Sequence, residues 1–144
     1  MRRTLIAAVA ATALAAAAAQ PAAALTTYSV AYTATDADDN KLNEGGSARI
    51  VNDDANGMDI EFDCFANTSP PSLSVSIGIQ DCYIVGTNGA RFDAENVGAN
   101  PGTFTARAGV ALDAPRQRYR ICVRANALIQ GESTFLQAPL VCSS

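Results

Sequence analysis

The sequence predicts an all-β protein: an antiparallel sandwich of about seven to eight short strands with two disulfides. Three observations predict it. Apolar and polar residues alternate with period two in stretch after stretch, and beyond the first two dozen residues no window carries the 3.6-residue period of an amphipathic helix. Asn56-Gly57 and Asn88-Gly89 fall between such stretches, and these dipeptides suit the positive φ of tight hairpins. Cysteines stand at 64, 82, 122 and 142, an even count that reads as a covalent framework.

Taken in order, Thr26 to Thr35 sets Tyr28, Val30, Tyr32 and Ala34 against threonines and a serine, as a first strand does. Asp36 to Gly46 reads as a polar loop, Ser47 to Val51 as a short strand and Asn52 to Gly57 as a turn. From Met58 to Phe65 the pattern is clean: Met58, Ile60, Phe62 and Cys64 face inward, while Asp59, Glu61 and Asp63 face out. Pro70 and Pro71 break the run. Leu73, Val75, Ile77 and Ile79 form the next inward set, against Ser72, Ser74, Ser76, Gly78 and Gln80. The inward parity then changes from odd to even at Cys82 and Ile84, which places a bulge near Gln80-Asp81. Tyr83–Val85 and Ala90–Ala94 make a hairpin about Asn88-Gly89, and Glu95 to Gly102 reads as a loop. Phe104, Ala106, Ala108, Val110 and Leu112 form another apolar set. A strand through Tyr119 follows, then a loop from Asn126 to Glu132, and Ser133 to Cys142 closes the chain.

The first residues speak to location. Met1-Arg2-Arg3 precedes an apolar run from Leu5 to Ala19, and Ala22-Ala23-Ala24 after Pro21 offers a small-x-small cleavage site. This is the layout of a secretory signal peptide over 1–24, leaving 25–144 as a single domain. The run is too alanine-rich and too short for the ~20 residues a bilayer span needs, so no membrane span is expected after cleavage. The chain of 144 residues carries 10 basic and 14 acidic residues; losing Arg2 and Arg3 leaves 8 against 14, a net charge of −6. A secreted, extracellular acidic domain is a poor partner for nucleic acid. Three cysteine pairings exist. Cys64 with Cys82 and Cys122 with Cys142 is the expected one, because each closes a local strand pair. Each loop of about 20 residues adds on the order of 3 kcal/mol by restricting the unfolded chain.

The stretch Leu112-Asp-Ala-Pro-Arg-Gln-Arg-Tyr-Arg-Ile-Cys-Val-Arg-Ala125 organises the rest. Tyr119, Ile121, Val123 and Ala125 share one parity; Arg118, Arg120, Cys122 and Arg124 share the other. Its Leu-x-x-Pro-x-x-x-Tyr opening resembles the entry to the sixth strand of immunoglobulin-like and fibronectin type III sandwiches, where a tyrosine bonds back to the backbone at the corner. The resemblance runs from Phe104 to Cys142. It implies an immunoglobulin-like sandwich, with one departure: Cys122 lies three residues after Tyr119 on the outward parity, so the inter-sheet disulfide of antibody domains is not implied. The chain is also similar in plan to small two-disulfide secreted proteins of high-GC bacteria, a likeness that carries no function with it.

Candidate sites are few. Arg116, Arg118, Arg120 and Arg124 offer forked guanidinium donors for a carboxylate, a phosphate or an anionic saccharide. The same stripe also serves as a solvated strand face that discourages aggregation. Ser72, Ser74 and Ser76 fall on the same outer sheet in this topology, giving a flat Ser/Arg face. Asp59, Glu61 and Asp63 belong to the other sheet. From Asp36 to Asp63 there are nine acids and two bases, so the molecule is expected to be dipolar. Cross-strand pairing is the structural alternative for both stripes. Asp36-Ala-Asp38-Asp39-Asn40 spaces oxygens as calcium loops do, but Lys41 occupies the glycine position, and a solvated loop is preferred. The chain has no histidine, which excludes Ser/His/Asp and Cys/His catalysis, and no tryptophan to line a sugar cleft. The expected role is a secreted, non-catalytic binding module for a protein or an anionic saccharide, with no cofactor and no metal. The alternative is a secreted protease inhibitor presenting Asn96–Gly102 or Asn126–Glu132.

Overall fold

Period-two burial builds every long element. The structure, a computed structural model, describes residues 27–69, 74–100 and 104–144, with the backbone alone for 74–75 and 96–100. The expected signal peptide, Ser72 and Leu73 lie outside the described residues. The strands are β1 (Thr27–Thr35), β2 (Lys41–Asp54), β3 (Gly57–Ser69), β4 (Ser74–Gly86), β5 (Arg91–Asp93), β6 (Glu95–Asn100), β7 (Phe104–Ala114), β8 (Tyr119–Ile129), β9 (Phe135–Gln137) and β10 (Val141–Cys142). They form two antiparallel sheets: one of five strands ordered β1-β2-β3-β7-β6, and one ordered β10-β8-β4-β5 in which β9 also pairs with β8. The protein is an all-β sandwich, and no helix occurs among the described residues.

The core lies between the inner faces. Ile60, Phe62 and Cys64 of β3 and Leu42 and Ala48 of β2 meet Ile77, Ile79 and Ile84 of β4 and Ile121, Val123 and Ala125 of β8, all buried. Tyr119 is buried at the corner, its hydroxyl donating to the Pro115 carbonyl at 2.8 Å and accepting from Gln117 Nε2 at 3.1 Å. A part-buried bond of this kind contributes about 1 kcal/mol and fixes the chain's entry into β8.

Both expected disulfides are present, Cys64–Cys82 and Cys122–Cys142. The first does something locality did not suggest. Cys64 stands in the five-stranded sheet and Cys82 in the other, so the bond staples the two layers through the core. It can do so because the β4–β8 register slips between Ile79 and Asp81, at the expected bulge. Without that extra residue, Cys82 would share the outward parity of Ser76 and point away from Cys64. Cys122–Cys142 instead joins neighbouring strands, with Cys142 directly opposite Cys122 in the β8–β10 ladder.

Four expectations require correction. The polar loop expected over Asp36–Gly46 is only 36–40; Lys41 to Gly46 already belongs to β2. Gly45 and Gly46 serve packing there: a Cβ on Gly45 would lie 2.6 Å from the Phe65 ring, and one on Gly46 2.9 Å from Ile121 Cγ1. Glu95–Gly102 is not a loop through its length, because Glu95–Asn100 pairs with β7 as an edge strand. The loop expected from Asn126 shrinks to 130–134, since β8 runs on to Ile129 with β9 beside it. Most consequentially, the apolar set of β7 faces outward. Val110 and Leu112 are 58% and 68% exposed, whereas Thr105 and Ala111 are buried. The inner side of β7 must be small because Phe62 fills it: a Cβ on Gly109 would come within 2.4 Å of the Phe62 ring.

Candidate functional site

The outer face of the β10-β8-β4-β5 sheet is where the arginine stripe was expected. Arg118 and Arg120 are exposed there, forming no ion pair among the described residues, and flank a small hollow lined by Val85, Gly86, Thr87 and Ser144. Arg124 is engaged within its own sheet: its Nη2 lies 2.5 Å from Asp81 Oδ2, an ion pair without a hydrogen bond's geometry. Arg91 lies over the Tyr83 ring, 3.6 Å from its centroid, and pairs with Asp93 at 2.6 Å. Arg116 belongs elsewhere, reaching from the turn before β8 to Asp53 at the far end of β2, at 2.7 Å. Ser76 is exposed on this same sheet, opposite Leu128: four residues of β8 from Arg124, but eight, about 26 Å, from Arg120.

The opposite outer face carries the acids. Asp59, Glu61 and Asp63 alternate outward on β3 as expected, and each has local work. Asp59 accepts the Asp113 N–H at 3.0 Å, where the β3–β7 register slips. Glu61 is bound by Arg49 across the β2–β3 ladder, with Nη2 at 2.8 Å. Asp63 accepts the Ser47 hydroxyl at 2.8 Å. Asp36 organises its own turn: its Oδ1 accepts the backbone N–H groups of Asp38 and Asn40, each at 2.9 Å, and its Oδ2 accepts the Asn40 side-chain amide. Those bonds hold the Asp36 carboxyl below the usual carboxylate range, with Asn40 the principal cause.

Sequence reasoning missed what runs between these acids. An open trough of about 850 Å³ crosses the strands of the five-stranded sheet, lined by Thr27, Ser47, Arg49, Glu61, Asp63, Ala108, Val110, Asp93 and Glu95. Its floor is low because Ser47 and Ala108 are small. Asp63 and Glu95 both stand opposite Ala108 in their ladders, so two strand spacings, about 10 Å, separate them. Beside the trough, the exposed even-numbered residues of β7 make an apolar wall. The signal that could have placed it was Gly109 facing Phe62 across the ladder. Only pairing information turns that into a statement about which side of β7 is inward.

Glu44 is a second feature outside every expected site. It is buried, with its Oε2 accepting the Ala125 N–H at 2.6 Å and its Oε1 meeting no hydrogen-bond partner among the described residues. Burial is the main cause that pushes its carboxyl up to about 7, opposed by the Ala125 bond and by Arg124. On the edge side of β8 the Ala138 N–H donates to the Ala125 carbonyl at 3.0 Å, while the Ala125 N–H turns to Glu44 instead of completing that pair.

Of the two loops considered as inhibitory, 96–100 is edge strand, and Asn126 to Ile129 is strand backed by β4. The chain matches no protein-family model, no curated protein and no solved structure.

Proposed function

We propose that the protein is a secreted, immunoglobulin-like, non-catalytic binding module whose main binding surface is the trough on the five-stranded sheet. The observation that carries the reading is the outward apolar wall of β7. A strand that turns Val110 and Leu112 to solvent, with small residues inward, offers apolar surface to a partner beside the trough. The immunoglobulin-like plan is supported by strand order: β2-β3-β7-β6 against β8-β4-β5 follows the A-B-E-D and F-C-C′ layout, with β1 added at one edge. The Tyr119 corner supports it too. Secretion is supported by the two disulfides.

The test is capture from culture supernatant and cell-surface extract on immobilised protein, wild type against Val110→Arg. Val110 is 58% exposed, so the fold tolerates the change. A ligand held by the wild type and lost by the variant is expected; equal capture by both would remove the trough from consideration.

Arg118 and Arg120 favour a second reading, a site for an anionic saccharide, because they remain exposed and unpaired among the described residues. Retention on an anionic polysaccharide column at rising salt should then fall for Arg118→Ala/Arg120→Ala. Identical elution of variant and wild type would dismiss that face.

A further inference from the structure

We infer that the occupant of the trough is a basic, partly apolar polypeptide segment of another protein, an assignment that rests on the trough being the binding surface. Two features of different kind select this class. The first is charge. Glu61 is neutralised by Arg49 and Asp93 by Arg91, but Asp63 and Glu95 form no ion pair among the described residues. These two carboxylates stand in one row across the sheet about 10 Å apart, within reach of flexible lysine or arginine side chains projecting from neighbouring positions of one extended segment. The second is the apolar wall. Val110 and Leu112 offer apolar contact that a hydrated inorganic cation or a simple sugar does not use. Nucleic acid and anionic lipid are repelled by the same carboxylates and by the chain's net charge of −4. The trough is open along its length and crosses the strands, so an extended chain lies in it without closing anything over itself.

The probe is a short fluorescent peptide repeating Lys-Thr-Leu-Thr, compared with peptides repeating Glu-Thr-Leu-Thr and Lys-Thr-Ser-Thr, by anisotropy in low-salt buffer. The Lys/Leu peptide is expected to bind the wild type. Its affinity should fall at least tenfold in Asp63→Asn/Glu95→Gln and again in Val110→Ser/Leu112→Ser. It should stay within twofold in Asp38→Asn/Asp39→Asn, which removes equal charge from a distant turn. An equal loss in that turn variant would reduce the binding to bulk charge and overturn the assignment. Binding of the Glu/Leu peptide, lost in Val110→Ser/Leu112→Ser, would keep the trough as the surface while refuting the basic class. Failure of every peptide, together with equal capture by wild type and Val110→Arg, would overturn both readings.

Discussion

Glu44→Gln is expected to make the protein about 3 kcal/mol less sensitive to pH between 4 and 8, a difference that arises from one buried carboxyl. The folded protein raises the Glu44 carboxyl from 4.5 to about 7. For an acid raised in the fold, the neutral form is the one the fold prefers. The favourable contribution is therefore complete below about 4.5, where folded and unfolded chains are both protonated. It is lost progressively as the pH climbs to about 7, and above that the fold carries an ionised group in its core. At about 1.4 kcal/mol per unit, the swing is about 3 kcal/mol. Asp36 and Asp54, lowered by hydrogen bonds, act in the opposite direction: their contribution is present above the usual carboxylate value and is lost as pH falls through their lowered values. The clean readout is thus the difference between variant and wild type, by denaturant unfolding at pH 4, 6 and 8. Glutamine keeps an acceptor for the Ala125 N–H and never ionises. Its amide group brings a cost of its own that does not change with pH, so only the slope matters. Parallel profiles for the two proteins would show that Glu44 does not titrate in this range.

Cys64→Ala/Cys82→Ala should destabilise by about 3–5 kcal/mol, and by roughly 1 kcal/mol or more beyond Cys122→Ala/Cys142→Ala. The two bonds close loops of nearly equal length, with sequence separations of 18 and 20, so the chain-entropy contribution is nearly the same. What differs is position. Both sulfurs of the inter-sheet bond lie in the core, with Cys64 and Cys82 0% and 3% exposed, so their removal leaves cavities between the layers. Cys142 is half-buried at the sheet edge, where the surroundings relax or water enters. Guanidinium unfolding of both double variants measures the difference. A larger loss from the edge bond would mean that the sheets are held chiefly by apolar contact and that the staple is dispensable.

Much of this molecule was legible as alternation. The inward sets Met58–Cys64 and Tyr119–Ala125 and the bulge at Gln80-Asp81 follow from side chains that turn over every residue along a strand. Alternation tells the two faces of a strand apart, but it does not say which face is buried; apolarity is only a proxy. The proxy failed on β7, where Phe62 claims the inner space and leaves room for Gly109 and not for Val110. It failed again at Glu44-Gly45-Gly46, whose polar, glycine-rich look suggests a loop. Neighbouring rings and a stranded Ala125 N–H require those very residues in the strand.

The amino-acid order alone therefore determined the all-β class, the inward sets of β3 and β8 and the outward acids Asp59, Glu61 and Asp63, because each depends on local spacing; nearness in the chain pointed to both cysteine pairs but not to Cys64–Cys82 joining the two sheets. The trough, the outward wall of β7, the separation of Ser76 from Arg118 and Arg120 and the burial of Glu44 were decided by tertiary structure. Each depends on which residues from distant strands compete for the same volume, and no local pattern records that competition.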